Sequence, residues 1–230
     1  MAKFAIYLCH IIFTGMNNIK NIIFDLGGVV IDLQREDAIR ALVDLGVKDA
    51  PDLLGEYGQK GPFGELETGE LTEAEFYDLI LPRTLPGTGC TDLRNAFEAF
   101  LKDLPAERLA TLRALRKHGY RLFMLSNTNP VMFHHWIDEA FRQEGKSVND
   151  YFDGVVVSFQ EKTLKPDPKI FRNLIERYDL NAGETLMLDD SEKNCEAAES
   201  VGLKAIRITK TGRDSFSEVC GRLLSDEEPL

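Results

Sequence analysis

Five polar positions close apolar runs in this chain, and together they would suit attack on a phosphoryl group. Asp25 ends Asn21-Ile-Ile-Phe-Asp25, Ser126 and Asn127 follow Arg121-Leu-Phe-Met-Leu125, and Asp189-Asp190 end Thr185-Leu-Met-Leu-Asp-Asp190. Lys165 stands in the loop after Gly154-Val-Val-Val-Ser158. A carboxylate nucleophile, a hydroxyl, an ammonium and a further acidic pair are the parts needed to attack phosphorus, balance its charge and hold a Mg²⁺ ion.

These residues work together only if the runs that carry them lie side by side. The runs Ile19 to Asp25, Arg121 to Leu125, Gly154 to Ser158, Thr185 to Asp189 and Lys204 to Ile208 are short and rich in β-formers, and read as strands. Helical patterns alternate with them at Pro130 to Phe141, Pro168 to Tyr178 and Glu192 to Val201, the last stopped by Gly202. Alternation of this kind predicts an α/β fold, a Rossmann-like doubly wound parallel sheet. Open sheets of this class bind ligands beyond the carboxyl ends of their strands, where the five polar positions fall.

The first crossover is too long for one helix, since roughly eighty residues separate the first two strands. Its content is helical: Glu36 to Leu45, Thr72 to Leu81 with a capping box in Thr72-Glu-Ala-Glu75, Asp92 to Leu101, and Ala106 to Lys117. Gly61-Pro-Phe-Gly64 and Pro86-Gly-Thr-Gly89 read as the turns between them. The division expected is an α-helical cap at 34–104 inserted into a core formed by 16–33 and 105–230. Residues 1–15 form an apolar N-terminal extension, too short to span a bilayer, or precede the true start at Met16.

Composition narrows the partners. The net charge of −11, with no basic run, argues against nucleic acid and anionic membranes. The four cysteines, Cys9, Cys90, Cys195 and Cys220, show no ligand-like spacing, and read as reduced thiols in a cytoplasmic protein. A small-molecule phosphate ester is the expected partner, bound by a monomer or homodimer.

Four stretches carry a more specific likeness. Phe24-Asp-Leu-Gly-Gly-Val-Val-Ile-Asp32, Leu125-Ser-Asn-Thr-Asn129, Lys165-Pro-Asp-Pro168 and Leu188-Asp-Asp-Ser-Glu-Lys-Asn194 resemble, in order, the four motifs of the haloacid dehalogenase-like hydrolases. The resemblance runs from about Ile19 to Ile208, and the insert falls where that superfamily carries its helical cap. It is nearest to the subgroup containing bacterial α-D-glucose-1-phosphate phosphatase. The resemblance implies that Asp25 is the nucleophile and a Mg²⁺ ligand, that Asp190 is the second carboxylate ligand, and that Gly27 offers its backbone carbonyl to the metal. It implies that Ser126 and Lys165 act on the transferring phosphoryl group, that Asn127 and Gly28 help to bind it, and that Asp189 supports the metal from its second or first coordination sphere.

Other residues carry two readings. Glu67 either reaches from the cap toward substrate or is a solvated loop acid, Asp32 reads as a helix N-cap, and His134-His135 are adjacent and cannot form a metal pair on one helix face. The departure from the usual pattern is Gly27, which stands where most phosphatases of the superfamily have an aspartate that serves as acid and base. Leaving groups that need no proton suffer least from that loss, which favours a sugar 1-phosphate. The alternatives are a metal-independent 2-haloacid dehalogenase and a catalytically silent sugar-phosphate-binding or regulatory protein.

Overall fold

A computed structural model describes residues 18–55 and 58–225. The N-terminal extension and Cys9 lie outside the described residues. Five strands form one parallel sheet in the order β5-β4-β1-β6-β7, with β1 Asn21–Phe24, β4 Arg121–Ser126, β5 Gly154–Val157, β6 Thr185–Asp189 and β7 Lys204–Arg207. The chain moves outward from β1 in both directions, so β1 is central and every residue of it is buried. Strands buried on both faces must be apolar throughout, which is why these runs are continuous rather than alternating. Register places Phe24 beside Met124 on one side and Leu188 on the other. Asp25, Ser126 and Asp189 therefore emerge at the same edge of the sheet.

Between β1 and β4 lies the insertion. It leaves through β2 Asp32–Leu33 and returns through β3 Leu101–Asp103, which pair antiparallel. Among the described residues five α-helices lie between them: α1 Arg35–Asp44, α2 Ala50–Leu53, α3 Gly61–Glu67, α4 Glu73–Ile80 and α5 Cys90–Glu98. The capping box expected at Thr72 is present, with Glu75 N donating to Thr72 Oγ1 at 3.3 Å and Thr72 N to Glu75 Oε2 at 2.8 Å. The insert has its own aromatic centre, Phe63, Phe76 and Phe97, with ring centroids 4.8 to 5.7 Å apart. Each such contact adds about 0.5–1.5 kcal/mol beyond simple burial.

The remaining helices are α6 Ala106–Lys117, α7 Pro130–Met132 running through a π turn at Phe133–Ile137 into α8 Asp138–Phe141, α9 Val148–Tyr151, α10 Ser158–Glu161, α11 Pro168–Arg177, α12 Glu192–Ser200 and α13 Phe216–Leu224. Among the described residues no helix is long and apolar enough to cross a membrane.

Three local expectations need correction. Gly61-Pro-Phe-Gly64 is not a turn but the first turn of α3, where Pro62 costs nothing because its position needs no amide donor. Asp32 caps no helix: it lies in β2 and accepts from Arg108 Nη2 at 2.8 Å. The helix expected over Asp92 to Leu101 ends at Glu98, because Leu101 pairs with Leu33.

The end of α3 is tied closely to the core. Ser158 Oγ is within 2.8 Å of the Glu67 carbonyl and 2.9 Å of the Thr128 carbonyl, and accepts from Thr128 N at 3.0 Å. Two residues on, Gly69 has φ +70°, and a Cβ there would lie 2.0 Å from the Phe159 carbonyl oxygen. Only glycine satisfies both demands. Gly69→Ala should therefore lower stability on the order of 1–3 kcal/mol, read as a fall in the urea midpoint, and an unchanged midpoint would show the contact to be dispensable.

Candidate active site

A cavity of about 100 Å³ sits over the carboxyl edge of β1, β4 and β6, and Asp25, Gly27, Ser126, Asn127, Lys165 and Asp190 all line it. The residue that organises it is Lys165, whose side chain is 1% exposed. Its Nζ lies 2.8 Å from Asp25 Oδ1 and 2.7 Å from Asp189 Oδ2. Burial works against the ammonium, but Asp189 and Asp25 outweigh it and hold the Lys165 pKa above the ordinary lysine value. This lysine stays charged.

The loop that delivers Lys165 is held by Asn127. Asn127 Nδ2 donates to the Lys165 carbonyl at 2.9 Å, and Lys165 N donates to Asn127 Oδ1 at 2.8 Å. The Asn127 carboxamide is thus occupied in positioning the lysine. Ser126, next to it, is buried, and its hydroxyl makes only a long contact of 3.5 Å with the Asn127 carbonyl.

The carboxylates divide in role. Asp189 is fully engaged: Oδ2 meets Lys165, while Oδ1 accepts from Ser191 N and Asn194 Nδ2, both at 2.9 Å. Asp25 spends only Oδ1, on Lys165 and on Leu26 N at 2.6 Å. Among the described residues nothing hydrogen-bonds to its Oδ2, so that oxygen is available as a nucleophile. Burial, then Asp189, raises the Asp25 pKa despite Lys165, and the same two causes raise that of Asp190.

One oxygen from each of Asp25, Asp189 and Asp190 lies within 4.8 Å of the others. Three carboxylates against one ammonium leave an excess of negative charge in a buried site, which is the environment a hard divalent cation requires. Gly28 makes room for this arrangement, since at φ +75° a Cβ would come 2.4 Å from Asp190 Oδ2. Its contribution is space for Asp190.

Glu67 is the residue the sequence left ambiguous. It is not a solvated loop acid: it ends α3, is 6% exposed and lines the same cavity as Asp25. Burial pushes its carboxyl up to about 7 against the opposing pull of the Gln59 backbone N–H and Lys165. Among the described residues its Oε2 is buried without a hydrogen-bond partner. Gln59 and the apolar Leu33, Phe97 and Phe100, which sequence reasoning did not single out, complete the roof. His134 and His135 lie in the π turn away from this cavity, and His135 Nε2 is 3.2 Å from Glu73.

Replacing Lys165 by methionine leaves Asp25 and Asp189 buried without their counter-ion. Lys165→Met should cost about 3–5 kcal/mol in metal-free buffer, measured by chemical denaturation, and a loss under about 1 kcal/mol would contradict the bridging role.

Comparison with known proteins identifies the family of the chain. Residues 19–202 match the family model described as haloacid dehalogenase-like hydrolase. The chain is 36% identical over 191 residues to D-ribitol-5-phosphate phosphatase of Bacteroides thetaiotaomicron, covering 82% of this chain and 91% of that one. It is 29% identical over 210 residues to glyceraldehyde 3-phosphate phosphatase of Pyrococcus abyssi, covering 82% and 80%. Among solved structures, a haloacid dehalogenase family enzyme of Bacteroides thetaiotaomicron in complex with magnesium and inorganic phosphate superposes with a TM-score of 0.77 at 33% identity, covering 83% of this chain and 94% of that one.

Proposed function

This chain belongs to the haloacid dehalogenase-like hydrolases, and we propose that it is a Mg²⁺-dependent phosphatase of small phosphorylated metabolites, sugar or polyol phosphates, acting through an aspartyl-phosphate on Asp25. The observation that carries this reading is the division of labour among the carboxylates. Asp189 is consumed by Lys165, Ser191 and Asn194, whereas Asp25 keeps Oδ2 open to the cavity. The relatives named as phosphatases support the same class of substrate.

The residues divide the work. Asp25 Oδ2 attacks phosphorus, its bond to the leaving oxygen breaks, and the phosphoryl group is carried on Asp25 until water releases it. Lys165 balances the charge of nucleophile and phosphoryl oxygens, and the Ser126 hydroxyl donates to a phosphoryl oxygen. Asp25, Asp190 and the Gly27 carbonyl would hold Mg²⁺, with Asp189 fixing their surroundings. When bound, the ion supplies positive charge to a phosphoryl group that would otherwise face three carboxylates. The helices of 34–104 act as a cap, excluding water and meeting the leaving group.

Because Gly27 provides no proton, the core residues alone serve best a leaving oxygen of low basicity, and a sugar 1-phosphate meets that condition. A metal-independent dehalogenase would have no use for the surplus acids, and a silent binder would have no need of an open Asp25. Cys90, Cys195 and Cys220 are free thiols, which suits a cytoplasmic enzyme.

The test is phosphate release from a panel of sugar and polyol phosphates with Mg²⁺ or EDTA. Asp25→Asn and EDTA should each lower turnover by roughly three orders of magnitude or more. Full activity in EDTA, or in Asp25→Asn, would overturn the assignment.

A further inference from the structure

The reaction on Asp25 needs two proton movements that the core residues do not provide. A simple alkoxide cannot leave without a proton, and the water that later attacks the aspartyl-phosphate must lose one. Gly27 has no side chain, and a Cβ there would come 3.0 Å from Leu33 Cδ1, so the Leu33 side chain stands against the point from which an acid would project.

In-line displacement puts the leaving oxygen, and afterwards the attacking water, on the side of phosphorus away from Asp25. The insert lines the cavity with Gln59, Glu67, Phe97, Phe100 and Leu101. Of these, Glu67 alone can give up and take back a proton.

We infer that Glu67 is the acid–base residue of this enzyme, delivered from the insert in place of the acid missing at position 27. The inference rests on the phosphatase reading above and extends it to primary phosphates of sugars and polyols. In the first step the Asp25 Oδ2–P bond forms, the P–O bond of the ester breaks, and its electron pair takes the proton from the Glu67 carboxyl. In the second, water attacks phosphorus and passes a proton to the Glu67 carboxylate. The P–O bond to Asp25 breaks, and its electron pair returns to Asp25. Glu67 ends protonated, as it began.

Three features support this assignment. Among the described residues Glu67 Oε2 is buried without a hydrogen-bond partner although the side chain borders the cavity, an arrangement that costs stability and calls for an explanation in function. Its backbone is also fixed, since Ser158 Oγ lies 2.8 Å from its carbonyl and the close approach of Gly69 to Phe159 fixes the turn beyond it. Burial, finally, sets its carboxyl near 7, where both protonation states are populated at neutral pH.

The experiment compares wild type with Glu67→Gln on p-nitrophenyl phosphate, whose leaving group needs no proton, and on a pentitol 5-phosphate, whose leaving group does. With the aryl ester the variant should release about one equivalent of nitrophenolate in a burst at close to the wild-type rate, then turn over on the order of 10²–10⁴-fold more slowly. With the pentitol ester it should show no burst, and kcat/KM should fall by the same order. Equal loss on both esters without a burst, or no loss on either, would overturn the inference. If Glu67→Gln does not fold, Glu67→Asp keeps the carboxyl and withdraws it by one methylene. It should slow the pentitol ester while sparing the aryl burst, and equal slowing of both would again overturn the proposal. Wild-type protein that releases no phosphate from either ester would instead defeat the phosphatase reading itself.

Discussion

The Lys165 ammonium between Asp25 and Asp189 is the interaction on which the rest of this structure depends. Removing three such groups from water costs several kcal/mol per ion, and only close mutual contact repays it. The distances of 2.8 and 2.7 Å supply that contact, and two further donors satisfy Asp189. Much of the fold can be read as what is needed to keep these atoms in place. Asp25 and Asp189 come from adjacent strands in fixed register, and Lys165, which belongs to no strand, is held by both ends of the Asn127 carboxamide. A carboxylate held by one oxygen and left open at the other is the consequence.

The core was legible in the sequence because its signals are local. A short buried strand declares itself by a continuous apolar run, and the polar residue that ends it marks the candidate ligand-binding edge. Asp25, Ser126 and Asp190 could be collected on that rule, with Lys165 taken from the loop after a further strand, and the structure brings them to one cavity. What escaped depended on partners far along the chain. The clamp between Asn127 and Lys165 spans 38 residues, and neither sequence neighbourhood hints at it. The pairing of β2 with β3 is too short to show a period, and α13 beyond the last strand was not anticipated.

The insert was legible as helices but not as chemistry. Glycine and proline in Gly61-Pro-Phe-Gly64 suggest a turn, which leaves Glu67 with two readings, reaching toward substrate or solvated in a loop. A proline in the first helical turn is equally natural, and once α3 forms, packing of Phe63 and Leu66 buries the glutamate with them. The acid missing at Gly27 and the acid buried at Glu67 lie on elements that meet only after folding. Gly27, Leu33 and Glu67 line one cavity, a relation made by the fold that sequence spacing alone does not show.

The central claim is that the open oxygen of Asp25 becomes covalently phosphorylated. The direct measurement is an acid quench during turnover, followed by peptide mass analysis to locate the phosphoryl group. The account predicts one phosphoryl group on the peptide containing Asp25, present during turnover and gone when substrate is exhausted. Turnover with Asp25 unmodified at every quench time, or with the phosphoryl group on another residue, would contradict it.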